Sequence, residues 1–206
     1  MSWVLQYLTG FQKLGHEVYF VEKYGYANSC FNPVERSMSD DCQYGIERVS
    51  NLLSKHNLEN NWCFVAMDGT YFGMSRFEIE DIFSSADVFI DMGTHGSWME
   101  EAENTCLKVL LDGEPGYTQM RMSNKEYAIE GDAYDLHYSN GLNIGTEKCQ
   151  VPNAGFQWRQ ILHPIDTSKV LYTEPAARSA FTTIMNWKSH NTVEYNGTSY
   201  GQKDVE

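Results

Sequence analysis

Three short stretches of this chain set carboxylates beside glycines in ways that suit work on hydroxyl groups: Asp68-Gly69-Thr70, Asp91-Met92-Gly93-Thr94-His95-Gly96-Ser97-Trp98 and Asp112-Gly113-Glu114-Pro115-Gly116. Glycine lets a backbone come close to a ligand, and free amides at a following helix start can hold an anion or a hydroxyl. A carboxylate accepts sugar hydroxyl protons, and one held partly out of water gains the raised pKa that a general base needs. Asp112 and Glu114 are the carboxylate candidates for catalysis, and His95, set between glycines, is the imidazole candidate. Asp68, Asp91, Gly93, Thr94, Gly96 and Gly113 are the candidate substrate contacts from the same stretches. The plainer explanation is that Gly and Asp are common turn residues, and that a lone histidine is more often a hydrogen-bonded structural group. Asp87, Asp91 and His95 suit a metal on paper, but Asp87 and Asp91 share one strand face while His95 lies in the loop beyond, so no metal is expected.

What makes these stretches candidates together is the element that precedes each. Val4, Leu5, Tyr7, Leu8, Phe11 and Leu14 recur at helical spacing, with Gly10 inside the pattern as a point of close approach to a sheet and Gly15 as the stop. "EVYFVE" follows as an unbroken apolar run, the pattern of a parallel strand covered on both faces, and it closes on Glu22. Ile46, Val49, Leu52 and Leu53 define a second helix, capped near Ser39 or Asp40, that leads into "WCFVAM". Ser75-Arg76-Phe77-Glu78 is a capping box opening a third helix before "DVFIDM", and a short helical stretch at 98–104 precedes "LKVLLD". This alternation predicts an α/β fold, an open doubly wound, Rossmann-like and mostly parallel sheet, with residues 1–206 as one domain. In such sheets ligands bind outside the carboxyl ends of the strands, and all of the acidic stretches fall there. Turn duty explains any one loop; four on one edge, Glu22 included, favour a cleft.

Beyond residue 116 the alternation fades, with possible strands at "YDLHYS" and "FTTIMNW". Asn196-Gly197 lies between alternating aromatic and polar runs, which predicts a C-terminal β-hairpin. The same Asn196-Gly197-Thr198 is a glycosylation sequon, read here as a tight turn.

Composition narrows the function classes. A formal net charge of −13 repels phosphate backbones and anionic lipid, so nucleic-acid binding is disfavoured. An aromatic content of 14% suits surfaces that stack on polar rings, sugars among them. The five cysteines are widely spaced with no C-x-x-C pair, and no apolar run reaches membrane-span length, which predicts reduced thiols, no transmembrane segment and a cytoplasmic location. No Walker loop, G-x-G-x-x-G fingerprint or nucleophile elbow occurs.

Four segments together, "LQYLTGFQKLGHEVYFVE", "LLDGEPGYTQ", "FQWRQILHP" and "FTTIMNWKSHNTVEYNGTSYGQKDVE", resemble the N-terminal half of bacterial GT-B-fold glycosyltransferase-like proteins. The first is generic. The last is more specific, through Asn186-Trp187, the aromatic hairpin and Tyr200-Gly201-Gln202-Lys203-Asp204. The resemblance spans nearly the whole chain and implies an acceptor-side domain that lacks its first strand and the following nucleotide-sugar domain. It further implies a nucleotide-sugar as co-substrate rather than a bound cofactor, a glycan or small-molecule acceptor, the absent domain as natural partner, and Trp187 as a substrate contact. In many of these enzymes the base is a histidine in the loop after the first strand, a loop this sequence does not contain; the chain alone is therefore expected to be inactive. Two alternatives stand beside it. One is a carbohydrate-binding or interaction domain without catalysis; the other is a dinucleotide-dependent oxidoreductase, in which Glu22 would hold a ribose.

Overall fold

The computed structural model describes residues 2–93, 96–127, 131–169, 174, 180 and 192–201. Helix α1 (Ser2–Lys13) comes first. It ends in a Schellman motif: His16 N–H donates to Phe11 O at 3.1 Å, Gly15 N–H to Gln12 O at 3.0 Å, and Gly15 takes the left-handed φ of 89° that the motif requires. The expected stop is therefore where the sequence puts it. Gly10 is a different matter, since a Cβ there would meet nothing within 4 Å, so no close approach to a sheet explains it.

Strand β1 (Phe20–Lys23) follows, then an antiparallel hairpin of β2 (Cys30–Asn32) and β3 (Ser37–Ser39), then α2 (Gln43–Ser54) and β4 (Trp62–Val65). The cap of α2 sits slightly later than Ser39 or Asp40: Cys42 is the N-cap, and Asp41 Oδ1 accepts from Gln43 N at 2.9 Å. Strand β5 (Tyr71–Gly73) turns straight back along β4, and α3 (Arg76–Ser85) opens on the expected capping box, with Ser75 accepting from Glu78 N and the Glu78 carboxylate from Ser75 N. Next come β6 (Val88–Asp91), a 3₁₀ turn at Glu101–Asn104, β7 (Leu107–Asp112), α4 (Tyr117–Ser123), β8 (Leu136–Ser139), β9 (Trp158–Gln160) and the hairpin β10 (Val193–Tyr195) with β11 (Thr198–Tyr200).

The protein is α/β, and the described strands form open sheets with no barrel closure among them, but not the one continuous doubly wound sheet the alternation predicted. They form an all-parallel sheet in the order β6-β7-β8-β9 and a separate sheet in the order β1-β4-β5, where β1 and β4 are parallel and β5 is antiparallel. The physical reason lies in β5. A two-sided apolar run shows that a strand is buried, not which neighbour it pairs with, and the hairpin at 66–70 places an antiparallel strand beside β4.

Burial on both faces of the smaller sheet is nonetheless that of a two-sided α/β layer. Phe20, Trp62 and Phe64 pack with Leu8 of α1 and with Leu53 and Leu58, while Val21, Cys63 and Val65 pack with Ile79 and Phe83 of α3. This strand alternation explains the unbroken apolar runs, because each residue meets a helix on one side or the other. Phe89 of β6 and Trp98 join the α3-side cluster, so the two sheets share core. A third cluster of Leu110, Tyr134, Ile144 and Trp158 covers the four-stranded sheet. Each fully buried leucine here contributes roughly 2 kcal/mol.

The Asn196-Gly197 turn has φ of 50° and 77°, both positive as a two-residue type I′ turn demands, and it joins Tyr195 to Thr198 across the hairpin. That hairpin is held to α4 by Asn124 Nδ2, which donates to Glu194 O at 2.8 Å. The possible strand "FTTIMNW" and the terminal "QKDVE" lie outside the described residues. Among the described residues no helix is long and apolar enough to cross a membrane.

Candidate functional site at the carboxyl ends of the strands

Parallel strands β6 and β7 each end in a buried aspartate, and the two residues are about 1% exposed. Asp91 Oδ1 accepts from Gly93 N at 3.1 Å; its Oδ2 accepts from Gly96 N at 2.7 Å and from Tyr134 Oη at 2.7 Å. Asp112 Oδ1 accepts from Glu114 N at 2.8 Å, while Oδ2 accepts from Gln119 Nε2 at 2.8 Å and Ser139 Oγ at 2.7 Å. Gln119 in turn accepts Gly116 N at 2.6 Å, so the whole Asp112–Gly116 turn is wound about one carboxylate. An ionised carboxylate can only accept, and these donors satisfy it where water does not reach. The two aspartates thus act as posts that fix the loops after their strands. Burial and the Asp91 carboxylate beside it push the Tyr134 hydroxyl far above the usual tyrosine range, so it stays a donor.

The glycine amides expected to face a ligand are committed inward in two cases, Gly93 and Gly96, whose φ of 98° and 92° only glycine adopts readily. Gly113 and Glu114 are exposed at the rim, and Glu114 O accepts Thr118 N to start α4. Asp68 belongs to the β4–β5 hairpin turn, not to a strand-to-helix loop. It is exposed, and its carboxylate accepts from Thr70 N at 2.9 Å, which holds its pKa below the usual range. Lys23, at the end of β1, ties that strand to the segment that follows β6: it bonds Glu101 at 2.5 Å and lies 4.3 Å from the Trp98 ring centre. Thr94, His95 and Trp187 lie outside the described residues.

A cluster that the residue spacing does not reveal occupies the same edge. His163, just beyond β9, has Tyr7 Oη 3.1 Å from Nδ1 and Asn140 Nδ2 3.2 Å from Nε2. Trp3 leans on the imidazole with ring centres 5.1 Å apart, and its Cη2 lies 3.8 Å from where a Gly113 Cβ would be. Asn140 Oδ1 is buried with no partner. Turning that amide over lets Oδ1 accept from imidazole Nε2–H, and Nδ1 then accepts the Tyr7 hydroxyl. Three loop segments and the start of α1 therefore meet at one point. The signal was present in "QWRQILHP", where a histidine follows a short strand, but three residues are too few to show a strand by periodicity.

Beneath this edge, His137 of β8 is stacked on Phe156 at 4.4 Å and 17°, with Trp158 and Tyr134 against its edges and Nε2 2.8 Å from Gly131 O. Burial pushes its pKa below the ordinary value, against a smaller opposing effect of the Gly131 carbonyl. Between the unfolded value of about 6.5 and the lower folded value, a falling pH protonates the unfolded chain first, so stability drops. Urea midpoints at pH 7.5 and 5.5 should show this loss. His137→Gln, which keeps a donor for Gly131, should shrink the difference between the two; an unchanged difference would place its origin elsewhere.

A cleft of about 590 Å³ opens along the 140–157 crossover between β8 and β9. Among the described residues no group of three or more His, Cys, Asp or Glu side chains is placed to hold a metal ion. No protein-family model, curated protein or solved structure matches the chain.

Proposed function

We propose that this chain handles a hydroxyl-rich, uncharged acceptor as the acceptor-side domain of a GT-B-type glycosyltransferase-like protein. The observation that supports the reading is the meeting of Trp3, Gly113, Asn140 and His163 at the carboxyl ends of parallel strands. Aromatic faces cover the C–H faces of a sugar, and amide and imidazole groups take its hydroxyls, in the crevice where open α/β sheets bind ligands. In this reading Asp91 and Asp112 shape the loops. Glu114, exposed at the rim, is the carboxylate we assign to receive an acceptor proton, alongside the proposed His95. The nucleotide-sugar belongs to a second domain.

A binding domain without chemistry is the second reading, and the full set of donors on Asp91 and Asp112 favours it, because a base must give up such bonds before it can take a proton. Titration of neutral saccharides and an assay for sugar transfer from nucleotide-sugars separate the cases. We expect saccharide binding weakened about tenfold by Trp3→Ala, the equivalent of one lost stacking contact, and no transfer by the chain alone. Transfer by the chain alone refutes the assignment of the donor to a second domain. Absence of any saccharide binding removes both readings and returns the dinucleotide alternative at Glu22.

A further inference from the structure

The cleft along the β8–β9 crossover has a lining with no charged side chain, in a chain whose net charge is −13. Its polar groups are Thr146, Asn153, Gln157 and Gln160, and its aromatic wall is Phe156 and Trp158. A phosphate or carboxylate would find no counter-charge there, and a cation no carboxylate, whereas an uncharged polyol needs neither. The volume of about 590 Å³ lies within the range of ordinary small-molecule sites.

The wall is held from behind. Phe156 is stacked on the buried His137, and Trp158, 9% exposed, donates its indole N–H to Asn153 O at 2.9 Å. Asn153 Oδ1 accepts from Gly155 N at 2.9 Å, and Gln160 Nε2 donates to Leu142 O. Those bonds leave Asn153 Nδ2 as a donor, Gln160 Oε1 as an acceptor and both ends of the Gln157 amide with no hydrogen-bond partner among the described residues. Gly145 and Gly155 take φ of 79° and 85°, and a Cβ at either would meet nothing within 4 Å, so the backbone is open to a ligand at two points. Donors and acceptors in pairs, set on a fixed aromatic wall, match the vicinal hydroxyls and C–H face of a sugar ring.

We propose that this cleft is a subsite for a neutral saccharide, separate from the cluster around Trp3 and His163. It does not depend on any transfer reaction. The test uses the full chain with neutral mono- to trisaccharides of glucose, galactose and N-acetylglucosamine, read by saturation-transfer NMR and by the side-chain amide signals of Asn153, Gln157 and Gln160. Binding should move those amide signals. Gln157→Ala, an exposed position that leaves the fold intact, should weaken binding at this site about tenfold, as loss of one or two hydrogen bonds predicts. Trp3→Ala should leave the amide shifts in place. The proposal is overturned if saccharides leave the three amides unmoved, or if glucose 6-phosphate moves them at lower concentration than glucose does. Loss of saccharide binding in Trp3→Ala with none in Gln157→Ala would overturn it too, while leaving the acceptor-domain reading intact.

Discussion

Asp112→Ala should destabilise the protein by about 3–5 kcal/mol, the range for removing one member of a buried charged network. The carboxylate takes three donors, from Glu114 N, Gln119 Nε2 and Ser139 Oγ, in a place that is about 1% exposed. Alanine leaves all three without a partner. Asp112→Asn should cost less, because its carbonyl oxygen can keep the pair from Gln119 and Ser139 while its NH₂ faces the Glu114 amide donor. Urea unfolding of the two variants gives the order. If Asp112→Ala is as stable as the parent but loses ligand binding, then Asp112 is a site residue and not a post. The same loss of stability bears on function, since the turn it holds carries Gly113 and Glu114 to the rim.

That distinction between post and reactant was not legible in the sequence. Asp91 and Asp112 stand at strand ends next to glycines, which is how a cleft carboxylate and a turn-fixing carboxylate both look; only the donors from Gly93, Gly96 and Tyr134, and from Glu114, Gln119 and Ser139, tell them apart. Features governed by local chemistry were legible: the Schellman stop at Gly15, the Ser75–Glu78 capping box, the Asn196-Gly197 turn and the apolar cores of β1, β4, β6 and β7. Features governed by pairing were not. β5 is three residues long and the β2–β3 hairpin has three-residue strands, too short for period-two alternation to register, and so the division into two sheets stayed hidden. Helix α4 has seven residues and follows an N-cap at Gly116 with φ of 93°, a composition that reads as a turn. His163 became visible as part of a cluster only when α1 and the segment after β9 were brought together. Gln6 Oε1 accepts Asp166 N at 2.5 Å there, and Lys13 pairs with the Asp166 carboxylate and holds its pKa down to about 2.

Trp98 gives the second large effect, with an unusual spread between two substitutions. The ring is 1% exposed, stacks on Phe83 at 5.5 Å and 24°, and lies beneath Lys23. Trp98→Ala removes a whole aromatic side chain from the core shared by the two sheets, at a cost of about 3–5 kcal/mol. Its indole N–H, however, is buried with no acceptor, and so is Glu101 Oε2 nearby on the partner of Lys23. An unsatisfied buried donor costs roughly 1–3 kcal/mol, and Trp98→Phe removes it together with part of the ring. The two terms oppose each other. Trp98→Phe should therefore fall within about 1 kcal/mol of the parent in urea unfolding, far from the alanine variant and below what the lost ring volume alone predicts. A phenylalanine variant as unstable as the alanine one would mean that the indole N–H does find an acceptor, and that the joint between the sheets is held by that bond and not by packing.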